Sequence, residues 1–146
     1  MPVLMGQVGI SEAEATKIHK AYWERNWALK EIASDAVVKT VDGQPWLYNP
    51  VSELYYFLKA DKDKFSTLNQ GTGTYCFDMW LAFIVRKRKQ LTAQFHDEVI
   101  LELQENKQQE VTAILKESIQ NVNKLLKLNR DLDCDISFGK DYSQIH

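Results

Sequence analysis

Apolar residues recur at helical spacing in three long stretches of the chain. The first follows Ser11 and Glu14, whose spacing is that of a capping box, and it predicts a helix from about residue 12 to residue 34. The second predicts a helix over about 66–89, and the third, which begins near Asn106, has the cleanest amphipathic pattern. The chain is therefore expected to contain three long helices.

Two tryptophans lie one helical turn apart in the first predicted helix. Trp23 and Trp27 are predicted to pack in the core, because an aromatic pair at helical spacing is most often a core feature. Stacking of these rings on nucleic-acid bases is the alternative.

Shorter apolar runs between the helices predict strands joined by tight turns. Asp42 and Gly43 form a typical two-residue hairpin turn, which separates the valines of residues 37–41 from the apolar residues 46–48. Residues 52–58 are rich in aromatic side chains and are predicted to continue as a helix.

A second hairpin is predicted from residues 91–95 and 99–103, two apolar runs that flank charged residues. Residues 132–138 alternate apolar and polar side chains at every step, which is typical of a half-buried strand. The predicted order of elements is a helix, a small β region, a second helix, the second hairpin, a third helix and a last strand, which predicts an α+β fold. In this fold the long helices pack on a small antiparallel sheet.

Composition limits the class of protein. A length of 146 residues with 45% hydrophobic content suits one compact domain, or part of a larger one, with a real core. No apolar run approaches the ~20 residues that span a bilayer, and the first residues make a poor signal peptide, so a soluble cytoplasmic protein without a membrane partner is expected. In that compartment Cys76 and Cys134 are expected to be reduced thiols.

The charge balance limits the ways in which the chain can bind nucleic acid. There are 18 basic and 20 acidic residues, which gives a formal net charge of −2. This excludes a protein that binds DNA by electrostatic attraction alone. It leaves open a contact made by a few local cations, such as the four consecutive basic residues 86–89 at the end of the second predicted helix.

Two adjacent acids at the tip of the second hairpin are the strongest candidates for chemistry. Asp97 and Glu98 are oxygen ligands of the kind that suits Mg²⁺, which usually needs one or two protein carboxylates plus substrate phosphates. The alternative is a solvated turn, in which the same acids need no partner.

Three motifs in order resemble the C-terminal part of family A DNA polymerases, the bacterial DNA polymerase I type and its bacteriophage members in particular. They are N-Q-G-T at residues 69–72, which opens a long helix, F-H-D-E-V at residues 95–99, and the terminal G-K-D-Y-S-Q-I-H at residues 139–146. The resemblance extends from about Gly9 to the end of the chain. It implies a partial polymerase palm with the last part of the fingers, namely fingers over residues 1–65 and palm over residues 66–146.

The resemblance implies roles for the residues of the second hairpin. Asp97 matches the motif C aspartate that binds the catalytic Mg²⁺ pair, and Glu98 matches its neighbour, which assists less directly. His96 matches the histidine beside the primer end. Asp97 and Glu98 are therefore the predicted catalytic and metal-binding residues, and His96 is a predicted primer-binding residue.

Three further residues are DNA-binding candidates by the same resemblance. Gln70 matches the glutamine that reads the minor-groove edge of the newly formed base pair. Asn69 precedes it and departs from the usual residue of some members, so its role stays open. His146 matches a terminal histidine near the active site.

The family's motif A and motif B precede the region that this chain resembles. Two-metal polymerisation needs the second aspartate of motif A as well as motif C. Asp141 begins a close copy of motif A, D-Y-S-Q-I, but its position after the last predicted strand is that of the terminal motif. The resemblance therefore implies a complementary N-terminal polypeptide as partner, together with primer-template DNA and dNTP, and a host-cell cytoplasmic location if the chain is encoded by a phage.

The expected function is that of the C-terminal subunit or fragment of a split DNA-directed DNA polymerase, active in replication only in a complex. The alternative is a catalytically inert, polymerase-derived module that binds DNA or protein. A Mg²⁺ nuclease that uses Asp97 and Glu98 is a weaker possibility, because it lacks the additional acids that such sites collect.

Overall fold

The computed structural model describes residues 6, 8–88 and 91–145. In this part of the chain, helices and short antiparallel strands are mixed, which confirms the α+β class. The elements are, in chain order, α1 (Glu12–Arg25), α2 (Trp27–Asp35), β1 (Val38–Val41), β2 (Gln44–Asn49), β3 (Leu54–Phe57), α3 (Lys64–Lys87), β4 (Ala93–Phe95), β5 (Glu98–Ile100) and α4 (Gln108–Leu126). Strands β1, β2 and β3 form one sheet in that order, and β4 pairs with β5.

The chain divides into two compact units, residues 1–71 and 72–146. The division lies inside α3, six residues after the predicted boundary between 65 and 66. No helix among the described residues is both long enough and apolar enough to cross a membrane.

The first predicted helix is interrupted at Asn26 and becomes α1 and α2. The start agrees with the prediction, because Ser11 and Glu14 form the complete capping box. At Asn26 both the backbone N–H and the side-chain amide donate to the carbonyl of Tyr22, at 2.9 and 2.8 Å. Since an asparagine side chain competes with the helix for backbone groups, it can end one helix and let the next begin.

The tryptophans of this region are not a core pair. Trp27 is 63% exposed, so its predicted burial is wrong. Trp23 is half-buried, and its indole N–H donates to Nε2 of His19 at 3.0 Å. The buried residue of α1 is the small Ala15, which shows that α1 uses little of its aromatic surface for packing.

The predicted turn between β1 and β2 is confirmed. Val41 pairs with Gln44, and the two residues between them, Asp42 and Gly43, have φ values of 50° and 73°. Positive φ at both turn positions matches the twist of the flanking strands, and glycine reaches this region without steric cost.

The predicted helix over residues 52–58 is wrong, because this segment forms β3 and pairs with β2. The buried side chain of Asn49 accepts hydrogen bonds from the backbone N–H groups of Val51, at 2.9 Å, and Ser52, at 3.3 Å. Glu53 then has a φ of 57°, and the chain returns so that Leu54 lies opposite Asn49. A side chain that forms hydrogen bonds with the backbone two and three residues later favours a turn over a helix.

The inner face of the first sheet packs where α3 begins. Leu47 and Leu58 are buried, and the amide of Asn49 donates to the carbonyl of Leu68 at 3.3 Å. The hydroxyl of Tyr56 donates to the carbonyl of Gly71, also at 3.3 Å. A Cβ on Gly71 would lie 2.8 Å from the ring of Tyr56, so only glycine allows this close approach.

Substitution of this glycine tests the packing. We expect Gly71→Ala to destabilise the protein by about 1–3 kcal/mol, because the ring of Tyr56 must move away from its hydrogen bond. Gly73→Ala is the matched control in the same helix, since nothing lies within 4 Å of its added Cβ. The control should stabilise the helix by up to about 1 kcal/mol. Urea unfolding measures both changes, and equal effects of the two substitutions would contradict the assignment.

The core of the second unit is built between α3 and α4. The buried side chains that form it are Trp80, Leu81, Ile84, Val111, Leu115, Ile119 and Val122. The indole N–H of Trp80 donates to the carbonyl of Leu115 at 3.1 Å, so the one polar atom of this large side chain is satisfied in the core. The amphipathic pattern of the third predicted helix is therefore confirmed, although α4 begins two residues later than Asn106 and Lys107 caps it without a side-chain hydrogen bond.

Residues 132–137 alternate in burial as predicted, but Phe138 is exposed and the segment does not form a strand. Leu132, Cys134 and Ile136 pack against the core of the second unit. The side chain of Asn123 holds the segment in place, because it accepts from the N–H of Leu132 and donates to its carbonyl, both at 2.8 Å. These two hydrogen bonds satisfy backbone groups that a neighbouring strand would otherwise have satisfied.

Both cysteines are free thiols, as predicted. Cys76 is buried and Cys134 is half-buried. Burial raises the pKa of both thiols, since an apolar environment disfavours the thiolate.

An ion pair at the same segment makes stability depend on pH. Nζ of Lys116 donates to Asp133 at 2.7 Å and to the carbonyl of Cys134 at 2.6 Å. The hydrogen bond from Lys116 holds the pKa of Asp133 below its ordinary value of 3.8. Because the pKa is lower in the folded state, the pair stabilises the fold above pH 3.8, and this contribution disappears as the pH falls through the lowered value.

We expect Asp133→Asn to lower the urea midpoint at neutral pH, and the difference from the wild type to vanish in acid. Asp131→Asn removes the same charge two residues earlier and serves as the control. A midpoint difference for Asp133→Asn that persists unchanged below the ordinary pKa of aspartate would contradict the ion-pair assignment.

Candidate metal-binding hairpin

The hairpin of β4 and β5 carries the predicted metal ligands at its tip. Its ladder contains three pairs, from Ala93 opposite Ile100 to Phe95 opposite Glu98. Thr92 extends it on the open side, because its N–H donates to the carbonyl of Ile100 at 3.0 Å and its hydroxyl accepts from the N–H of Glu102 at 2.9 Å. The predicted strands are thus shorter than expected, while the hairpin itself is confirmed.

His96 and Asp97 form the two-residue turn. His96 has a φ of 50°, a region in which side chains other than glycine are strained. Its ring packs edge-on against Phe95, with 4.5 Å between the ring centroids. The strained residue and the adjacent carboxylate together define the tip, and strain of this kind often accompanies a functional site.

One face of the hairpin anchors it. Val99, Leu101 and Leu103 pack against the core between α3 and α4. Because side chains alternate along a strand, Phe95 and Ile100 occupy the opposite face, and Phe95 is 56% exposed. Asp97 is exposed and Glu98 is half-buried. The core thus holds the strands while the carboxylate of Asp97 faces solvent.

Two residues of the predicted basic run 86–89 have specific partners within the second unit. Lys87 forms an ion pair with Glu117, and the guanidinium of Arg88 donates to the carbonyl of Glu102 at the base of the hairpin. Lys89 lies outside the described residues. Lys87 and Arg88 therefore have structural contacts, which join the end of α3 to α4 and to the hairpin.

Two neighbouring carboxylates can supply part of a metal site. Among the described residues, no group of three or more His, Cys, Asp or Glu side chains could hold a metal ion. Asp97 and Glu98 can supply oxygen ligands of the type that Mg²⁺ takes, with substrate phosphates and water completing the coordination. A site with two ions needs carboxylates from elsewhere.

The remaining predicted residues lie away from this hairpin along the chain. Asn69 and Gln70 are exposed on α3 in the first unit, whereas His96, Asp97 and Glu98 belong to the second. His146 lies outside the described residues.

Asp141, in the copy of motif A, has a local role. Its carboxylate accepts from the N–H of Ser143 at 3.1 Å and from the hydroxyl of Ser143 at 2.6 Å. It therefore caps the short helical turn Tyr142–Gln144 that follows it. The carboxylate of Asp141 thus stabilises its own turn.

Sequence reasoning missed the aromatic strand β3 and, with it, a second surface of interest. Once β3 pairs with β2, aromatic side chains from both strands share one face of the sheet. The available signal was the Asn49-Pro50 turn followed by a run of apolar and aromatic residues at 54–57, a composition typical of strands, which a helical interpretation of 52–58 hides.

Comparisons with known proteins give no match. Neither the family models, nor the curated proteins, nor the solved structures include one that matches this chain. The hairpin and the sequence motifs are therefore the features that bear on function.

The turn residue provides a test of the hairpin geometry. We expect His96→Gly to be more stable than His96→Ala by about 1 kcal/mol, because glycine adopts positive φ without steric cost. At Gln94, inside β4, the order should reverse, with Gln94→Ala more stable than Gln94→Gly by about 0.5–1 kcal/mol. Unfolding free energies in urea measure all four variants. If alanine were the better residue at both positions, the turn assignment would be wrong.

Proposed function

We propose that this chain is the C-terminal subunit or fragment of a split family A DNA-directed DNA polymerase, in which residues 1–65 belong to the fingers and residues 66–146 to the palm. The observation that carries the proposal is the position of His96, Asp97 and Glu98 at the tip of an anchored antiparallel hairpin, with Asp97 exposed. This is the local geometry that motif C requires.

Asp97 has the central chemical role in this proposal. Two Mg²⁺ ions, when bound, lower the barrier for attack of the primer 3′-hydroxyl on the α-phosphate of the dNTP. The exposed carboxylate of Asp97 would supply a ligand to these ions, and Glu98, which is half-buried, would support it less directly. Packing of Val99 against the core holds the backbone next to Asp97, which limits the reorganisation that the reaction needs.

The proposal requires a partner polypeptide. One hairpin offers two adjacent carboxylates, and the described residues contain no larger ligand group. A complementary N-terminal polymerase polypeptide supplies the motif A aspartate and the motif B helix that grips the triphosphate. A net charge of −2 agrees with this division, since most contacts to DNA phosphates then belong to the partner.

Four further residues contact the nucleic acid in the proposed complex. His96 lies next to Asp97 and positions the primer end, and Gln70, exposed on α3, contacts the minor-groove edge of the new base pair. Asn69 and His146 are additional DNA contacts by resemblance to the family.

A catalytically inert binding module is the second candidate. The exposed aromatic face of the first sheet favours it, because such a face can bind a partner without any metal chemistry. The two candidates differ in whether the function requires the carboxylate of Asp97.

Primer extension decides between them. The chain is mixed with a candidate N-terminal polypeptide, primer-template DNA, dNTPs and Mg²⁺. We expect Asp97→Ala to lower the extension rate by on the order of 1,000-fold, equivalent to about 4 kcal/mol, because the metals lose a ligand. Its urea midpoint should stay near the wild-type value, since the carboxylate is exposed.

The matched control is Asp141→Ala, which removes the carboxylate in the motif A copy. It should keep extension near the wild-type rate, because Asp141 caps its own turn. Extension by Asp97→Ala at the wild-type rate would contradict the metal assignment and favour the inert module.

A further inference from the structure

The sheet of β1, β2 and β3 has one covered face and one open face. Its covered face carries Leu47, Asn49 and Tyr56, which pack against the beginning of α3. Because side chains alternate along each strand, every second residue lies on the other face. The aromatic side chains on that open face are Trp46 and Tyr48 of β2 and Tyr55 and Phe57 of β3.

The four rings form two cross-strand pairs. Trp46 lies opposite Phe57, with centroids 6.0 Å apart and planes at 72°. Tyr48 lies opposite Tyr55, with centroids 5.1 Å apart and planes at 49°. Phe57 and Tyr55 are 51% and 40% exposed, which is high for rings of this size in a folded unit.

A lysine lies among these rings. Nζ of Lys39, from β1, is 3.4 Å from the centroid of the Tyr55 ring, which is a cation–π contact. The strand positions that share this face, residues 39, 41, 44, 46, 48, 55 and 57, include no acidic residue. Lys59, exposed two residues after Phe57, adds a second cation beside the same strand.

We propose that this open face, formed by Lys39, Trp46, Tyr48, Tyr55 and Phe57, binds single-stranded polynucleotide. Unpaired bases stack on the exposed rings of Tyr55 and Phe57, and Lys39, whose Nζ covers the Tyr55 ring in the free protein, leaves that ring to contact the phosphate between the two bases. Aromatic rings on an open sheet face with a nearby cation are the combination that single strands need, since every base offers a flat apolar surface and every linkage a negative charge.

The charge of the chain favours a single strand over a duplex. A duplex hides its base faces and offers mainly phosphates, which a protein of net charge −2 attracts poorly. A single strand exposes its bases, so stacking can supply most of the affinity. The binding is expected to cover about two to four nucleotides, because two ring pairs offer two stacking positions and their flanks.

Fluorescence anisotropy of labelled oligonucleotides with the full chain tests the proposal. Labelled dT₈ and rU₈ are the single-stranded probes, and the two separate DNA from RNA as the natural ligand. A duplex of the same length is the third probe, and it should bind at least about tenfold more weakly than dT₈.

Two variants remove the stacking surface while keeping strand-compatible apolar side chains. Tyr55→Leu and Phe57→Leu should each weaken dT₈ binding by about tenfold, the equivalent of one lost stacking contact. Phe138→Leu, at a ring 42% exposed in the second unit, is the matched control and should bind as the wild type does. Lys39→Gln should reduce the dependence of dT₈ affinity on salt.

Three results would overturn the proposal. The first is wild-type affinity of both leucine variants in samples whose circular dichroism shows an intact fold. The second is equal affinity for duplex and single strand. The third is self-association of the chain that Phe57→Leu abolishes, since the face would then be a protein interface.

This surface does not depend on the proposed polymerase activity. Binding of dT₈ is measured with this chain alone and without Mg²⁺, whereas primer extension needs the partner polypeptide and Mg²⁺. Failure of either proposal can therefore be recognised separately.

Discussion

Each sheet of this protein has one face packed against helices, and the surfaces of interest follow from that arrangement. In the second unit, Val99, Leu101 and Leu103 bury one side of the hairpin against the core between α3 and α4. In the first unit, Leu47 and Asn49 bury one side of the other sheet. Because the alternation of side chains is fixed, burial of one set determines which residues remain available to ligands.

A glycine and an asparagine support this arrangement, one in each unit. Gly71 lets the ring of Tyr56 approach α3 closely, so the first sheet is covered from that side. Asn123 binds both backbone groups of Leu132 and thereby fastens the C-terminal segment over the core of the second unit. In both places a polar side-chain group forms a hydrogen bond with a backbone group that apolar packing alone would leave without a partner.

The parts of the fold that could be predicted are those with local causes. The capping box of Ser11 and the Asp42-Gly43 turn involve neighbouring residues only, and both are confirmed. The predictions that were wrong concern segments whose structure depends on contacts between residues far apart in the sequence, or on a single side chain. The break at Asn26 depends on one amide, and the segment that begins at Leu132 is held by hydrogen bonds from the helical residues Asn123 and Lys116 where a strand was predicted.

The candidate site shows the same distinction. Asp97 and Glu98 could be predicted to lie at the same end of one hairpin, because Asp97 is in the two-residue turn and Glu98 is the next residue, the first of β5. The sequence could not reveal the open aromatic face in the same way, because Trp46 and Phe57 meet only after β3 pairs with β2. That pairing depends on the hydrogen bonds that the side chain of Asn49 accepts from the following turn. The spacing of apolar residues along the sequence does not indicate these bonds.

A near-neutral chain can still bind nucleic acid if it uses interactions other than general phosphate attraction. At a metal site, the ions supply the positive charge, so carboxylates such as Asp97 are an advantage where a basic surface would otherwise be needed. On an aromatic face, stacking supplies affinity and a single lysine such as Lys39 is enough to orient the backbone. Both proposed surfaces therefore fit a net charge of −2, because each concentrates its attraction at a few atoms and needs no excess of Lys and Arg.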